Sequence, residues 1–319
     1  MFERCSVCEL DETRLERETK SQGHFLCTRL RIKWQEIGYM QIAQRAQFQE
    51  WLARNTAGSA LHNGNTVSQL RIAQQAVTRY FCRVDMQKIV VIIPTYNEAQ
   101  NIVPIIMRVR EFAPTVHILV VDDNSPDGTA DVVRTLIAKD EHIALLSRRG
   151  KEGLGKAYLN AFSEVLKDPT VEWIQMMDAD FSHDPKYLPN MFAASEHADV
   201  VIGSKYVPGG GTIGWVAWRR WLSRFANRYC RIITGMPVND CTAGFILMRT
   251  SFMREAHLED INAKGHAFMM ELKYRLWKKN ARIVEIPILL EDRQHGASKM
   301  SRGVILEGIL APWKMRFRK

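Results

Sequence analysis

The chain of 319 residues has no apolar run long enough to cross a membrane. Its longest candidates, residues 89–94, 116–121 and 304–313, fall well short of the roughly 18 consecutive apolar residues that a spanning helix needs. The N-terminal segment alternates charges around no apolar core, so we expect no secretory signal. These absences predict that the protein is neither integral to a membrane nor exported.

Cysteine is scarce. Six cysteines in a chain of this length form no disulfide framework, and we expect reduced thiols in the cytoplasm. The spacing Cys5-x-x-Cys8 followed by His24-x-x-Cys27 is compatible with a tetrahedral zinc site. No glycine-rich knuckle surrounds these residues, and chance cysteines in a loosely structured tail are the alternative.

Two common nucleotide-binding motifs are missing. No G-x-G-x-x-G follows any predicted strand, and the glycine- and lysine-containing loop at 148–157 lacks the spacing of a Walker P-loop. This argues against a nicotinamide dehydrogenase and a P-loop phosphotransferase. The bases of the 148–157 loop are expected to face any anion at the site.

Positive charge is in excess. The formal net charge of +9 favours an anionic partner, such as nucleic acid, phospholipid headgroups or phosphorylated metabolites. No nucleic-acid-binding fold signature accompanies the charge, so we expect no nucleic-acid partner. RNA binding stays the weakest of the alternatives.

Two segments differ in character. Residues 1–85 are rich in Gln, Arg and Glu, with helical patterns over 30–54 and 66–81. We expect an N-terminal extension of loosely packed helices or partly disordered chain, which is either an appended module or an upstream extension of the reading frame. A compact domain is predicted for residues 86–319, beginning close to Met86.

From residue 88 onward, strand-like and helical patterns alternate. Apolar runs lie at 89–93, 117–121, 143–146, 173–177 and 200–203, and helical patterns lie between them at 99–112, 129–138, 154–166 and 185–194. Such alternation predicts an α/β fold with a mostly parallel central sheet flanked by helices. Ligands of such sheets bind beyond the carboxyl ends of the strands.

The first two strand ends carry polar side chains. Pro94 is expected to end the first strand, and Tyr96 and Glu98 to project from the turn after it, with Asn97 as a possible cap of the next helix. The second strand ends in Asp122 and its neighbouring carboxylate. Helix capping does not explain two adjacent carboxylates directly after five apolar residues.

The fourth strand ends in Asp178-Ala179-Asp180. In an extended segment, side chains two residues apart share a face, so the two carboxylates are expected to point together. Such a pair suits Mg²⁺ or Mn²⁺ held jointly with substrate phosphates. The alternative is a merely polar strand end. Asp122 argues against it, because we predict that Asp122 lies at the neighbouring strand end. His183 either supports this pair or is an ordinary loop histidine.

Five collinear motifs resemble a known family. They read P-T-Y-N-E, V-D-D-N-S-P-D-G-T, G-L-G-K-A, D-A-D-F-S-H and G-S-K-Y-V-P-G-G-G. In this order they resemble the family 2 glycosyltransferases of GT-A fold, and within them the polyprenyl (dolichyl) phosphate mannosyltransferase branch. The resemblance covers about residues 86–312. It implies a nucleotide-sugar half at about 86–205 and an acceptor half at about 206–319.

The resemblance implies inverting transfer of mannose from GDP-mannose to a polyprenyl phosphate, with Mg²⁺ or Mn²⁺ as cofactor. It places the nucleotide sugar against Pro94, Tyr96, Glu98, Asp122 and Ala179. The metal would be bound by Asp178, Asp180 and Ser182, and the acceptor phosphate by Lys205, Arg219 and Ser223, with Arg293 and Lys299 completing the catalytic set. Two positions depart from the family pattern. Lys205 stands where arginine is common, and Ser182 where many relatives have glutamine.

The second half carries a basic, tryptophan-rich segment. Residues 212–231 contain five arginines and no acid, with Arg220, Arg224 and Arg228 on one helical face and Trp218 on another. This pattern predicts helices that lie in the membrane interface, and the apolar, basic segment 304–319 repeats it. The alternative is a core helix with a solvated basic face. We therefore expect a cytoplasmic protein attached peripherally to an anionic membrane surface.

Two other functions stay open. One is a UDP-glucose-dependent polyprenyl-phosphate glucosyltransferase, and the other is a GT-A module that binds a nucleotide sugar without turnover.

Overall fold

The computed structural model describes residues 86–263, 265–291 and 302–317. The predictions for residues 1–85, including the cysteine and histidine spacing, lie outside the described residues, as do Arg293 and Lys299.

A seven-stranded sheet forms the centre of the domain, in the order β3-β2-β1-β4-β7-β5-β8. Only β7 runs antiparallel to its neighbours in this sheet. A separate parallel pair joins β6 to β9. The strands are β1 (Ile89–Thr95), β2 (His117–Asp122), β3 (Ile143–Ser147), β4 (Trp173–Met176), β5 (Val200–Ser204), β6 (Gly211–Ile213), β7 (Ile246–Arg249), β8 (Ile283–Pro287) and β9 (Leu289–Glu291).

The helices follow the predicted alternation. They are α1 (Ile102–Phe112), α2 (Thr129–Ile137), α3 (Leu154–Val165), α4 (Leu188–Ala194), α5 (Ala217–Thr234), α6 (Thr250–Glu255), α7 (Gly265–Lys278) and α8 (Arg302–Phe317). Single 3₁₀ turns lie at Met86–Lys88, Pro185–Tyr187 and Leu258–Asp260. The predicted α/β fold with a mostly parallel sheet is confirmed.

Helices cover both faces of the sheet, and β1 shows why the apolar runs are continuous. Val90 and Ile92 enter one buried cluster with residues of α3 and α7, whereas Val91 and Ile93 enter the other with residues of α1 and α4. Alternate residues of a strand point to opposite faces, so a strand covered on both sides must be apolar throughout.

The strand order corrects one prediction. Asp122 ends β2, and β1 lies between β2 and β4, so Asp122 is not at the strand end next to Asp178 and Asp180. Pro94 also does not end its strand. It pairs in register with Val121 and β1 continues to Thr95, because a missing N–H removes one donor without preventing an extended backbone.

No helix within the described ranges is long and apolar enough to cross a membrane.

Candidate active site

The loops that follow β1 and β2 are tied together by hydrogen bonds at the carboxyl edge of the sheet. The backbone N–H of Asn97 donates to Ser125 Oγ at 3.0 Å, and that of Glu98 donates to Thr129 Oγ1 at 3.0 Å. Asp127 Oδ2 accepts from the N–H of Ala99 at 3.0 Å. Burial opposes ionisation of Asp127, but the hydrogen bonds that its carboxylate accepts outweigh burial and lower its pKa. Asp127 therefore acts as an ionised link between the two loops.

Asp122 is buried beneath these loops. Its Oδ1 accepts from Thr95 Oγ1 at 3.1 Å and from Ser125 Oγ at 2.6 Å, and its Oδ2 accepts from the Ser125 N–H at 2.9 Å. These bonds fix the position of the carboxylate at the strand end. Its contact with a nucleotide stays a prediction.

The turn after β1 differs from the expected helix cap. Helix α1 begins only at Ile102, and Asn97 has a left-handed φ of 62°, so Asn97 does not cap the helix. Glu98 Oε2 instead accepts from Asn101 Nδ2 at 2.7 Å. The helix therefore starts later than predicted, and Tyr96 lies at the edge of the site. Lys151 Nζ is 3.7 Å from the centroid of the Tyr96 ring.

Carboxylates already balance part of the positive charge in the loop after β3. Arg148 forms a buried ion pair with Asp123, and Lys156 pairs with Glu152 at 2.8 Å. Burial raises the pKa of Asp123 even though the Arg148 guanidinium opposes the rise. The second of the adjacent carboxylates is thus explained by Arg148. The expectation that the bases of this loop face an anion does not hold for the buried Arg148 and stays a prediction for the others.

Asp178, Ala179 and Asp180 lie beyond the end of β4, in a segment that bends from Ala179 onward. Ala179 and Asp180 are buried, whereas the Asp178 side chain is 25% exposed. Burial raises the pKa of the Tyr158 phenol well above its ordinary value, and the two carboxylates raise it further. Both carboxylates therefore lie within electrostatic reach of one buried hydroxyl, beyond the last residue of β4.

His183 supports this bend. Its Nδ1 accepts a hydrogen bond from the backbone N–H of Asp178 at 3.1 Å, and its ring stacks on Phe245 with centroids 5.3 Å apart. An accepting Nδ1 carries no proton, so the neutral ring must hold its proton on Nε2. The Asp178 Oδ2 atom is 3.8 Å from Nδ1, too far for a hydrogen bond. The sequence left the role of His183 open, and the geometry favours support of Asp178.

The donor set of this bend fits a hard divalent cation. No group of three or more His, Cys, Asp or Glu side chains suited to a metal occurs in the described part of the chain. Asp178 and Asp180 therefore need further oxygen ligands, from the Ser182 hydroxyl, water or substrate phosphates. Mg²⁺ is commonly held in this way, by one or two carboxylates plus phosphates. Ser182 is buried beside the pair, and its N–H donates to Asp180 Oδ1 at 3.1 Å.

Lys205 lies in a buried ion pair. Its Nζ donates to Asp240 Oδ1 at 2.8 Å and to Oδ2 at 2.7 Å, and both side chains are almost fully buried. The N–H of Asp240 in turn donates to Glu285 Oε1 at 2.9 Å. The sequence did not identify Asp240 as the partner, because the pairing joins residues 35 positions apart.

A second buried lysine was also missed. Lys273 Nζ donates to the carbonyl oxygens of Cys241 at 2.9 Å, Ala243 at 2.7 Å and Met269 at 3.2 Å. Burial lowers the pKa of Lys273 to about 8. The available signal was its place one helical turn from apolar Met269, on the face of α7 that enters the core. Lys273 holds the loop that carries Asp240 and leads to Phe245.

Arg219 and Ser223 lie one turn apart on α5, each half-buried. The guanidinium carbon of Arg219 is 3.9 Å from the Trp215 ring centroid. The structure thus brings Arg219 and Ser223 to neighbouring positions of one helix, while Arg293 and Lys299 lie outside the described ranges.

Residues 90–256 match the family described as glycosyl transferase family 2. An undecaprenyl-phosphate mannosyltransferase of Micrococcus luteus is 40% identical over 226 residues, which cover 70% of this chain and 91% of that protein. A polyprenol monophosphomannose synthase of Mycolicibacterium smegmatis is 40% identical over 237 residues, which cover 73% of this chain and 89% of that protein.

A similar solved structure is that of glucosyl-3-phosphoglycerate synthase from Mycobacterium tuberculosis in complex with Mn²⁺ and UDP-glucose. The TM-score is 0.52 at 15% sequence identity, covering 72% of this chain and 78% of that chain. At this identity the likeness concerns the fold alone. Together with the family match, it confirms the GT-A type of architecture expected from the five motifs.

Proposed function

The chain belongs to glycosyl transferase family 2, and we propose that it transfers mannose from GDP-mannose to the phosphate of a polyprenyl lipid, with inversion at the anomeric carbon. The observation that carries this proposal is the 40% identity to two polyprenyl-phosphate mannosyl enzymes over about nine-tenths of their length. The carboxylate pair at the end of β4 supports it, because such a pair can hold a metal–diphosphate group.

The nucleotide sugar would bind along the carboxyl edge of the sheet. Pro94, Tyr96 and Glu98 would approach the base and ribose from the β1 loop, with Asp122 beneath them and the Ala179 backbone alongside. The hydrogen bonds that Asp127 and Ser125 make to the β1 loop support this assignment, since they hold the loop in place before the donor arrives.

Asp178 and Asp180 would hold Mg²⁺ or Mn²⁺, with Ser182 as a third ligand. The Mn²⁺ and UDP-glucose complex of the glucosyl-3-phosphoglycerate synthase supports this choice of cofactor. A bound divalent cation supplies electrostatic stabilisation for the charge that develops on the departing diphosphate. His183, by fixing the Asp178 backbone, would keep one carboxylate aimed at the metal.

The acceptor phosphate is anionic at neutral pH, because its second pKa is about 6. Its oxygen therefore attacks the anomeric carbon without a general base, and the protein needs only to hold two phosphate groups of like charge together. Lys205, Arg219, Ser223, Arg293 and Lys299 are the proposed contacts. Of these, Lys205 is already neutralised by Asp240.

The proposal places the protein on the cytoplasmic face of a membrane, attached peripherally. The exposed aromatic side chains of α5 support this, with Trp218 at 64% and Trp221 at 68% exposure. Residues 86–205 would form the nucleotide-sugar half and residues 206–319 the lipid-facing half. Residues 1–85 would be an extension that transfer does not require.

A donor panel tests the proposal. The purified chain is incubated with a polyprenyl phosphate, Mn²⁺ or Mg²⁺, and either radiolabelled GDP-mannose or radiolabelled UDP-glucose. We expect labelled lipid from GDP-mannose alone. Label from UDP-glucose alone would move the assignment to a glucosyltransferase. Donor binding without any labelled lipid would indicate a non-catalytic module.

A further inference from the structure

A cationic cleft lies beside α5, outside the proposed donor site. It has a volume of about 480 Å³ and lies between the loop after β5 and one face of the helix. Lys205, Tyr206 and Asn239 line one side, and Arg224, Arg228 and Arg231 line the other. The three arginines are spaced by four and three residues, so they fall on one helical face.

The cleft carries unbalanced positive charge. No carboxylate lines it within the described part of the chain. Lys205 is neutralised by Asp240, and Arg231 donates to the uncharged amide oxygen of Asn239 at 2.5 Å. The positive charge therefore comes from Arg224, Arg228 and Arg231. Guanidinium groups bind phosphate oxygens in a bidentate manner, which makes a phosphate group the natural ligand.

An exposed row of aromatic rings runs beside the cleft and continues from α5 onto α8; we call it the aromatic ridge. Trp221 stacks on Phe225 at 5.7 Å and Phe225 on Tyr229 at 6.3 Å between centroids. The Tyr229 hydroxyl accepts from Trp313 Nε1 at 2.8 Å. Trp313 then stacks on Phe317 at 5.8 Å. Four of these rings are highly exposed, namely Trp221, Phe225, Trp313 and Phe317.

The three arginines of the cleft lie at the border between the buried and exposed faces of α5. Asn227, Cys230 and Thr234 form the buried row, and the aromatic ridge lies on the other side of the arginines. Arg219 is about 140° around the helix from Arg224 at 3.6 residues per turn, so it faces a different side of α5. Lys205, a proposed acceptor contact, does line the cleft, but Asp240 neutralises its charge. An apolar face bordered by cations is the arrangement of helices that lie in the headgroup region of a bilayer.

We propose that the cleft binds the phosphodiester headgroup of an anionic membrane phospholipid while the aromatic ridge enters the acyl boundary. The adjoining ridge is what favours a lipid headgroup over free phosphate or RNA. The inference deepens the proposed membrane attachment but needs neither donor nor acceptor for its test. It therefore can fail, or hold, independently of mannosyl transfer.

The test measures binding of the full chain to phosphatidylcholine vesicles with and without phosphatidylglycerol, by co-sedimentation. A basic residue near an anionic surface contributes roughly fivefold to affinity, so Arg224→Gln with Arg228→Gln should weaken binding to the phosphatidylglycerol vesicles about 25-fold. Binding to pure phosphatidylcholine should hardly change. Phe225→Ser should weaken binding to both kinds of vesicle, because it removes a ring from the aromatic ridge.

The matched control is Arg220→Gln with Lys314→Gln. It removes the same charge from two exposed positions that do not line the cleft, Arg220 one turn before Arg224 on α5 and Lys314 on α8. We expect a clearly smaller loss than for the cleft variant. Equal losses would overturn the proposal in favour of diffuse attraction, as would displacement of the protein from vesicles by inorganic phosphate, or an arginine effect seen with RNA but not with vesicles. Circular dichroism and the unfolding midpoint verify that each variant is folded.

Turnover separates this inference from the proposed function. In detergent, with a short-chain polyprenyl phosphate, the Arg224→Gln and Arg228→Gln variant should keep the wild-type rate, because neither arginine is assigned to the donor or acceptor. A parallel loss of turnover in detergent would show that the cleft serves the acceptor itself and would overturn its assignment to a membrane phospholipid.

Discussion

His183 accepts a hydrogen bond from the backbone N–H of Asp178 through Nδ1, at 3.1 Å. The bond links the ring that stacks on Phe245 to the first carboxylate of the proposed metal site. β4 ends at Met176, and the Met177 N–H still donates to the Ile92 carbonyl oxygen at 3.1 Å. One residue further on, the histidine accepts the backbone N–H instead.

Activity should therefore depend on whether the side chain at position 183 places a hydrogen-bond acceptor near the Asp178 N–H. His183→Asn places an amide oxygen near the Nδ1 position and should retain most activity, whereas His183→Ala leaves the Asp178 N–H without its partner. Removing a group that orients a metal ligand costs about 10- to 100-fold in metal affinity or activity. We expect a loss of this size for alanine, measured as Mn²⁺ affinity by electron paramagnetic resonance without acceptor, and as kcat. Equal behaviour of both variants would show that the hydrogen bond has no positioning role.

The buried Lys205–Asp240 pair predicts a strong stability effect. Asp240→Ala leaves the Lys205 ammonium buried without its counter-charge, and such a change costs about 3–5 kcal/mol. The additional change Lys205→Met should recover part of this loss, since it removes the unpaired charge. Urea unfolding of the two variants measures the difference. If the double variant is no more stable than the single one, the pair is not the source of the effect.

Lys273 predicts a pH dependence of stability. In the folded protein its pKa is lowered to about 8, whereas the unfolded chain titrates near the ordinary lysine value of about 10.4. Between these values the unfolded chain holds a proton that the folded chain has released, so the free energy of unfolding rises with pH. Below pH 8 both states are protonated and the burial penalty is fully present.

The rise attributable to Lys273 should reach about 3 kcal/mol at most, from neutral to alkaline pH. Other groups titrate in the same range, so the quantity to compare is the difference in unfolding free energy between wild type and Lys273→Met, measured in urea across that range. This difference should move in favour of wild type as the pH rises. A difference that is independent of pH would contradict the lowered pKa.

The first 85 residues lie outside the five family motifs. The parallel-sheet domain formed by residues 86–319 is large enough to bury its own core. A chain that begins at Met86 should therefore fold and keep full transferase activity. Its unfolding midpoint and turnover, compared with those of the full chain, check this. Aggregation of the shortened chain, or activity that returns only with the zinc-loaded full chain, would show that residues 1–85 form a required domain.

The central strands were predictable because they are buried on both faces and therefore read as continuous apolar runs. β8 (Ile283–Pro287) was missed since it lies at the sheet edge, is only partly buried and contains Glu285. β6 and β9 are three residues each, too short to give a periodic signal. The order of β1 between β2 and β4 could not be predicted, because the sequence alone does not state which strands pair.

The residues of the site likewise divide into those that the sequence reveals and those that it does not. Asp178 and Asp180 stand out in sequence as carboxylates directly after an apolar strand. The partners that hold the site are less visible, because they act through distant contacts or backbone atoms. Asp240 reaches Lys205 across 35 positions, and Lys273 binds carbonyl oxygens that any residue could supply. Helical spacing marks Lys273 as a core position of α7 but does not identify its partners, and no pattern records the pairing of Asp240 with Lys205.

The most direct test of the central claim is the mass of the lipid product formed from GDP-mannose and a polyprenyl phosphate, compared between wild type and Asp180→Asn. Asparagine keeps the shape of the buried side chain but removes the charge proposed to hold the metal. The account predicts a polyprenyl phosphate heavier by one hexose with wild type, and a rate reduced at least about 100-fold in the variant. Unchanged turnover in Asp180→Asn, or hexose transfer from UDP-glucose instead of GDP-mannose, would contradict it.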